Sequence, residues 1–341
     1  MEFLPISPES LDKAAGVLRS GGLVAFPTET VYGLGADAFN PQALAKVFEV
    51  KGRPRFDPLI IHIAALETLE KVASLSLLGG ETRQKLFLLA ENLWPGPLSF
   101  VLPKNEKIPG IATAGLATAA VRFPDHGSAR SLISLSGGAV AAPSANPFGG
   151  LSPTRAEHVR DTLGEKVDII LDGGPARIGL ESTVLDITSG NIRILRPGGT
   201  PKEAIEKLIG PVGEDYGDRG ESDIASPGQL KSHYAPRIPL SVFSREEIIR
   251  VPYEKGRVFL FFDGRTRDLW LQARGQTPSN ALVKVLSESG DLIEAASRLF
   301  ETLHELDIQA TSSRIFAQFA PQEGLGAAIN DRLKRASCKY K

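Results

Sequence analysis

The sequence predicts an α/β fold in which one large sheet with helical cover is followed by a smaller α/β domain. Short apolar runs typical of buried strands are interspersed with amphipathic helical stretches. The 34 glycines and 24 prolines are spread along the 341 residues and mark many turns. Several predicted strands follow each other without a helix between them. We therefore expect a mixed sheet rather than a purely parallel one.

Capping residues place the first two helices. Ser7 can cap a helix that has Pro8 at its first position. Asn40 and Pro41 open a second helix in the same way, and Gly52 ends it. Strands are predicted at 23–26, 59–63, 98–102, 119–123, 139–142, 167–171, 183–187 and 192–195, and helices near 81–93, 127–136, 154–163 and 201–209.

The composition changes near residue 210. Residues 210–228 hold five glycines and five acidic residues, which is typical of a linker. A second apolar segment begins near Pro239 and contains predicted strands at 258–262 and 314–319 and helices at 291–306 and after Gly326. The expected division is therefore a first domain at 1–209, a linker at 210–238 and a small α/β domain at 239–341.

Composition excludes several classes of protein. The chain has 39 Lys and Arg against 40 Asp and Glu, so it is not a bulk polycation, although it can still hold a local basic pocket. Its single cysteine, Cys338, cannot form an internal disulfide or a Cys-rich zinc site. The first ten residues lack the pattern of a secretory signal, and no apolar run approaches the length of a membrane span. We expect a cytoplasmic protein.

Common catalytic motifs are absent from the sequence. It contains no phosphate-binding P-loop, no HExxH and no GxSxG, and its five histidines lack metal-ligand spacing. Gly33 to Gly35 form only half of a dinucleotide fingerprint. We therefore expect no metal held by protein ligands.

Two polar segments near the first predicted elements have two interpretations each. Residues 27–34 follow a buried strand, where α/β folds place ligands, but they also suit an ordinary hydroxyl-rich turn. Lys51, Arg53 and Arg55 end the second helix. They can hold a polyphosphate, or they can be solvated cations at a helix C-terminus.

Two further polar segments occur later in the chain. Ser144 and Asn146 can both donate to a phosphate or a ribose, but a Ser/Asn turn has the same composition. Ser182 and Arg196 lie near the ends of two predicted strands, where Arg196 can be a ligand contact or a surface cation. Each segment alone leaves both interpretations open.

Taken in order, these segments resemble the YrdC-like threonylcarbamoyl-AMP synthases. The matching motifs are PTETVYGLG, KGRP with PLIIHI, WPGPLSFVLP, VRFP, APSAN, IGLESTV, LRPG and HYAP, over about residues 11–236. Residues 323–332, EGLGAAINDR, are similar to the extra C-terminal domain of the two-domain members. The resemblance covers almost the whole chain. It implies a large twisted mixed-sheet YrdC-like domain followed by a smaller Rossmann-like α/β domain.

The resemblance also implies an activity. L-threonylcarbamoyladenylate synthases are nucleotidyltransferases that join L-threonine, bicarbonate and ATP into threonylcarbamoyl-AMP and release pyrophosphate. A downstream threonylcarbamoyl transferase complex then modifies ANN-decoding tRNAs to N6-threonylcarbamoyladenosine. Mg²⁺ is the one cofactor implied, and it accompanies ATP.

The resemblance assigns roles to residues at matching positions. Those implied in catalysis are Lys51, Arg53, Ser144 and Asn146. ATP is expected against Lys51, Arg53, Asp57, Thr118, Ser144, Asn146, Ser152, Arg196 and Tyr234, and L-threonine against Thr30, His62, Arg122, Ala142 and Ser182. Tyr234 is expected to fold the linker over the nucleotide as a lid that excludes water.

Two positions depart from the family pattern. Asp57 stands where the family often has Asn, and an acid there repels phosphate unless it faces a cation or Mg²⁺. Gln229 stands where the lid motif commonly has Met, which is expected to alter lid packing only.

Two other functions compete with the synthase. An RNA-binding module of the same fold, with direct RNA binding through a basic surface, is the first. The carbamoyl-adenylate chemistry of hydrogenase-maturation proteins is the second, but those chains are longer and carry Cys-rich zinc motifs, which a single cysteine cannot supply.

Overall fold

The computed structural model describes residues 1–217, 230, 233–274, 282–308 and 313–338. The chain divides into two units. The first comprises Met1–Phe148, Ser152–Arg177 and Glu181–Leu230, and the second comprises Gly149–Leu151, Ile178–Leu180 and Lys231–Lys341. The boundaries at 209 and 238 stay predictions, and part of the expected linker lies outside the described residues.

The first unit is built from short strands and amphipathic helices. Its strands are β1 (Glu2–Pro5), β2 (Val24–Phe26), β3 (Gly33–Asp37), β4 (Ile60–Ile63), β5 (Leu98–Pro103), β6 (Thr118–Arg122), β7 (Ala139–Ala141), β8 (Ile169–Asp172), β9 (Thr183–Asp186), β10 (Arg193–Arg196) and β11 (Gly213–Glu214). Its helices are α1 (Pro8–Arg19), α2 (Pro41–Lys51), α3 (Leu69–Val72), α4 (Gly80–Leu93), α5 (Gly127–Leu135), α6 (Ala156–Thr162) and α7 (Lys202–Ile209), with short 3₁₀ turns at Leu66–Thr68, Leu75–Leu77, Gly110–Thr113 and Gly164–Lys166.

Within the described residues these strands form one sheet of eleven, in the order β1-β8-β2-β3-β7-β4-β6-β5-β9-β10-β11. Neighbours such as β4 and β6 are parallel, whereas β2 and β3 or β5 and β6 are antiparallel. The mixed sheet predicted from the sequence is confirmed.

Helix α2 begins and ends where its sequence predicts. The Asn40 side chain accepts hydrogen bonds from the backbone N–H groups of Gln42 and Ala43, which satisfies two donors that have no partner inside the helix. Gly52 ends the helix in the left-handed conformation, at φ 61°. Lys51 is therefore the last residue of the helix, and the helix end fixes its position.

The core lies on both faces of the sheet because strand side chains alternate. Ile61 belongs to the main core, where it is joined by apolar residues of α2 and α4, including Leu44 and Leu86. Ile60, its neighbour, belongs to a smaller cluster on the opposite face with Val101 and others. His62 is two residues beyond Ile60 and so shares the face with the smaller cluster.

Strand β3 was not predicted, since residues 27–34 were interpreted as a polar segment after a strand. Its sequence, GLGAD, has two glycines and low strand propensity. A Cβ atom on Gly35 would lie 2.8 Å from a ring carbon of Phe26 and 3.0 Å from a methyl carbon of Val140. The glycine is thus required by close packing between neighbouring strands, a tertiary reason that local propensity does not report.

The second unit contains a four-stranded parallel sheet within its described residues, in the order β12-β15-β13-β14. Its elements are β12 (Leu240–Phe243), α8 (Arg245–Arg250), β13 (Arg257–Asp263), α9 (Gly264–Gln272), β14 (Leu282–Ser287), α10 (Leu292–Ile308), β15 (Arg314–Gln318) and α11 (Gly326–Cys338). This confirms a second α/β domain. The sequence prediction found β13, α10, β15 and α11 but omitted β12, α8, α9 and β14.

No helix in the described ranges combines the length and the apolar character that crossing a membrane requires.

Gly52→Ala is expected to lower the free energy of unfolding by about 1 kcal/mol, because an L side chain is disfavoured in the left-handed region. A Cβ atom at Gly52 would meet no described atom within 4 Å, so the cost comes from the backbone and not from a clash. Chemical denaturation measures it. Gly52→Asn should cost less because Asn tolerates this conformation, and Gly190→Ala, at an exposed glycine without positive φ, should change little. Equal costs for the Ala and Asn variants at position 52 would contradict this explanation.

Candidate active site

A row of polar side chains crosses one face of the large sheet. His62 on β4 is in register with Arg122 on β6, and Arg122 is in register with Ser99 on β5. Ser99 pairs with Val184 on β9, which pairs in turn with Arg196 on β10. Side chains of directly paired residues point to the same face of a sheet. The register therefore brings residues more than 130 positions apart in sequence onto one surface.

Arg122 is the centre of the first half of this site. It is buried, and its guanidinium donates to the Thr30 hydroxyl at 2.9 Å and to the backbone carbonyl of Gly96 at 3.3 Å. It forms an ion pair with the buried carboxylate of Glu29 at 2.6 Å. Thr28 fixes the loop that carries Thr30, since its hydroxyl donates to the carbonyl of Val31 and accepts from the N–H groups of Thr30 and Val31.

His62 lies beside Arg122 and carries no charge at neutral pH. Burial, and then the positive charge of Arg122, lower the pKa of His62 to about 3. Its Nδ1 lies 3.2 Å from the carbonyl of Ile60. A neutral imidazole can donate from one nitrogen and accept at the other, so His62 suits recognition of a hydroxyl.

Lys51 is the centre of the second half of the site. Its Nζ donates to the backbone carbonyl of Ser144 at 2.6 Å and to that of Asn146 at 2.5 Å. The structure thus brings together Lys51, Ser144 and Asn146, which are nearly a hundred residues apart. Burial, followed by the neighbouring charge of Arg53, holds the pKa of Lys51 well below its ordinary range.

Arg53 and Asp57 form a buried ion pair at 2.9 Å next to Lys51. Arg53 also donates to the carbonyls of Asp57 and Pro58, which fixes its orientation. Burial raises the pKa of Asp57, and the positive charges of Arg53, Lys51 and Arg196 oppose that rise. The acid that departs from the family pattern therefore faces cations, which meets the condition under which it is tolerated near phosphate.

Arg196 and Ser182 connect the two halves. Arg196 donates to the Ser182 carbonyl at 2.9 and 3.1 Å and to the Ser182 hydroxyl at 3.1 Å. That hydroxyl lies 2.8 Å from the Ser99 hydroxyl, next to Arg122 in the row. The two halves thus belong to one site.

The remaining predicted site residues of the first unit have different surroundings. The Ser152 hydroxyl donates to the buried carboxylate of Glu181 in a short hydrogen bond. Ala142 donates its N–H to the carbonyl of Ile60, at the edge of β4. Thr118 begins β6, four residues before Arg122 on the same face, which places it about 13 Å from Arg122 along the strand.

Tyr234 belongs to the second unit. It is buried at a positive φ of 62°, and its ring packs against His233 and Phe300 while the Arg332 guanidinium lies over it. Its role at the nucleotide stays a prediction. Gln229 lies outside the described residues.

Sequence reasoning missed three buried polar residues of the site: Glu29, Ser99 and Glu181. Glu29 and Glu181 stand inside motifs that were quoted, PTETVYGLG and IGLESTV, but neither received a role. Ser99 stands within an apolar strand, and only the register of β5 against β6 shows that it faces Arg122.

This arrangement can neutralise anions and hold hydroxyl groups. It offers four buried cations and several hydroxyl and backbone groups, and displacement at phosphorus needs such positioning more than a covalent nucleophile. Among the described residues there is no group of three or more His, Cys, Asp or Glu that could hold a metal ion.

Two family models match successive parts of the chain. Residues 16–198 match the Sua5/YciO/YrdC family model, whose description is telomere recombination. Residues 200–338 match the model for the C-terminal domain of threonylcarbamoyl-AMP synthase.

Relatives match over nearly the full chain. The threonylcarbamoyl-AMP synthase of Pyrococcus abyssi is 42% identical over 329 residues, 95% of this chain and 93% of the relative. That of Bacillus subtilis is 40% identical over 342 residues, 98% and 94% of the two chains. The crystal structure of P. abyssi Sua5 complexed with L-threonine superimposes with a TM-score of 0.86 at 39% identity and covers 98% of this chain and 97% of that one. The chain belongs to the threonylcarbamoyl-AMP synthase family.

Proposed function

We propose that this chain joins L-threonine, bicarbonate and ATP into threonylcarbamoyl-AMP and releases pyrophosphate, with the amino acid at Arg122 and the phosphates at Lys51, Arg53 and Arg196. One observation carries the proposal: two buried cationic groups, one suited to a carboxylate and one to a polyphosphate, are joined through Ser182 in a single site. The P. abyssi relative solved with L-threonine supports an amino-acid subsite in this fold.

L-Threonine is proposed to place its carboxylate on Arg122, because a guanidinium matches a carboxylate in geometry and charge. Thr30, whose hydroxyl accepts a hydrogen bond from Arg122, is proposed to contact the amino acid as well. Neutral His62 and the Ser182 hydroxyl then read the threonine hydroxyl, and the backbone near Ala142 completes the contact. A substrate without that hydroxyl leaves buried polar groups without partners, which is the physical basis of discrimination.

ATP is proposed to place its phosphates against Lys51, Arg53 and Arg196. Asp57 contributes by holding Arg53 in place. Ser144, Asn146, Ser152 and Thr118 are proposed as neutral donors to phosphate or sugar. Tyr234 is proposed as a further contact of the nucleotide.

The reaction needs two bond-forming steps. The threonine amine attacks the carbon of bicarbonate, a C–O bond breaks and water leaves, or it attacks CO2 with loss of one nitrogen proton; either route gives a carbamate. A carbamate oxygen then attacks the α-phosphorus of ATP. The bond from that phosphorus to the bridging oxygen breaks, and pyrophosphate leaves. The buried cations stabilise the charge that builds up on the phosphate oxygens.

Mg²⁺ is proposed to accompany ATP, held mainly by phosphate oxygens and water. The carboxylate next to the cations, Asp57, is paired with Arg53, so the residues fit a metal carried by the nucleotide better than one bound by the protein.

The product is proposed to pass to a downstream complex that transfers the threonylcarbamoyl group to ANN-decoding tRNAs in the cytoplasm. The cations at the site are buried, which suits a small polyanion that enters a pocket and not an exposed nucleic-acid backbone. The structure therefore favours the synthase over an RNA-binding module.

Pyrophosphate release from ATP, measured with bicarbonate and Mg²⁺, tests the function. We expect release that depends on L-threonine, is weaker with L-serine and is absent with L-alanine, because the site reads a hydroxyl. Pyrophosphate release at the same rate whichever amino acid is present, or with none, would overturn the proposal. Steeply salt-dependent binding of RNA without such release would favour the alternative.

Arg53→Ala is expected to lower kcat/KM for ATP by about 10²- to 10³-fold, the usual cost of removing one donor that stabilises the transition state. Steady-state pyrophosphate release measures it. Ser144→Ala should act in the same direction with a smaller loss, because a neutral donor is weaker than a charged one.

Each variant has a matched control. Arg55 belongs to the same motif as Arg53 but is exposed, and Ser134 is exposed on α5. Arg55→Ala and Ser134→Ala should change activity less than about twofold, as surface substitutions commonly do. If Arg53→Ala and Arg55→Ala had equal effects, the role of Arg53 would be wrong.

A further inference from the structure

Glu29 is a buried acid to which the reaction described above gives no role. Its side chain is 1% exposed, and one carboxylate oxygen forms the 2.6 Å ion pair with Arg122. That contact is an ion pair without hydrogen-bond geometry, and neither carboxylate oxygen accepts a hydrogen bond among the described residues. A buried carboxylate that accepts no hydrogen bond is costly, and a ligand partner that carries a donor would remove that cost.

The charge pattern identifies the chemistry of that partner. Arg122 and Glu29 together present one positive and one negative group, and neutral His62 adds no charge. An amino acid at neutral pH carries the complementary pair, a carboxylate and an ammonium. When the carboxylate lies on Arg122, the ammonium is attached one carbon away, within reach of the carboxylate that touches Arg122.

We propose that Glu29 binds the α-ammonium of L-threonine and accepts the proton that must leave before the nitrogen can attack. The inference rests on the proposed function and adds a catalytic residue to its first step.

The step balances in atoms and charge. The ammonium gives one proton to the Glu29 carboxylate and becomes an amine. The amine nitrogen forms a bond to the carbon of bicarbonate, and a C–O bond to that carbon breaks. The second nitrogen proton leaves with the departing hydroxyl as water. Ammonium and bicarbonate thus yield carbamate, water and one proton, which Glu29 holds.

The charged and titratable groups around Glu29 come from three elements: β6, β4 and the start of α5. Arg122 on β6 contacts it, and His62 lies next to Arg122. His126, at the start of α5, lies within electrostatic range of Glu29, and burial lowers the pKa of His126 below its ordinary value. Both histidines are therefore biased toward the neutral form, which leaves Glu29 as the negative group facing the ammonium.

A binding measurement with the amino acid alone tests whether Glu29 contacts the ammonium, and it needs no catalytic turnover. L-Threonine and its 2-hydroxy analogue, 2,3-dihydroxybutanoate, differ only at the 2-position, where the analogue has a hydroxyl in place of the ammonium that Glu29 is proposed to contact. We expect the wild-type protein to bind L-threonine about tenfold or more tightly than the analogue, as a charge-assisted hydrogen bond implies, and Glu29→Gln to lose that preference. Because no ATP is needed, this result stands whether or not the synthase reaction is found.

The pH profile tests proton transfer. In Glu29→Gln only the amine already deprotonated in solution can react, so pyrophosphate release should rise about tenfold per pH unit below the amine pKa. The wild-type profile should be flatter, and Glu29→Asp should recover part of the rate at neutral pH. A residue that only positions Arg122 would not move the pH profile.

Asp186→Asn is the matched control, since it makes the same acid-to-amide change at a buried acid at the other end of β9 from Ser182. This variant should keep the wild-type preference for L-threonine over its analogue and the wild-type pH profile of pyrophosphate release. If Glu29→Gln kept both as well, the proposal would be overturned and Glu29 would be a partner of Arg122 only. If Glu29→Gln failed to fold, Glu29→Ala, which also lacks the carboxylate, would decide by the same two measurements. An unchanged preference for L-threonine and an unchanged pH profile in that variant would contradict the proposal.

Discussion

Buried charge is the constraint on which the large sheet and its site depend. Lys51, Arg53, Asp57, Arg122, Glu29 and Arg196 are all 7% exposed or less. A charge taken out of water costs several kcal/mol unless it is paired and hydrogen-bonded. The protein meets part of that cost with ion pairs and backbone carbonyls, as for Arg53 with Asp57 and for Lys51 with the carbonyls of Ser144 and Asn146. Polar, charged substrates are proposed to meet the remainder, which makes the site selective for them.

The fold supplies the rigidity that such a site needs. Strands β4, β6, β5, β9 and β10 set His62, Arg122, Ser99 and Arg196 in one row, while apolar side chains on the alternate positions anchor the same strands in the main core. Helix α2 fixes Lys51 at its last turn. Because functional and core residues alternate along each strand, a site residue is held by the packing of its neighbours and needs little reorganisation when substrate binds.

Local sequence signals predicted much of this architecture. Caps at Ser7 and Asn40 and apolar strand runs placed α1, α2 and the central strands, and the quoted motifs named most of the residues that the structure brings together. Strand β3 was not predicted, because its glycine Gly35 is required by close packing against Phe26 and Val140. Local strand propensity does not report such tertiary contacts. Sequence analysis did not identify Ser99 and Glu29 as site residues for a related reason. Their places in the site depend on strand register and on the position of Arg122, which are long-range properties.

Proton uptake on binding of MgATP tests most directly whether the buried cations bind the phosphates of ATP. Burial holds the pKa of Lys51 well below its ordinary range, so its ammonium gives up a proton more readily than that of an exposed lysine. Phosphate charge beside it favours the ammonium form, raises that pKa and draws in a proton. Calorimetry in two buffers of different ionisation enthalpy should therefore show net uptake by the wild-type protein and much less by Lys51→Met. Equal proton uptake by the two proteins, or none by the wild type while MgATP binds, would contradict this account.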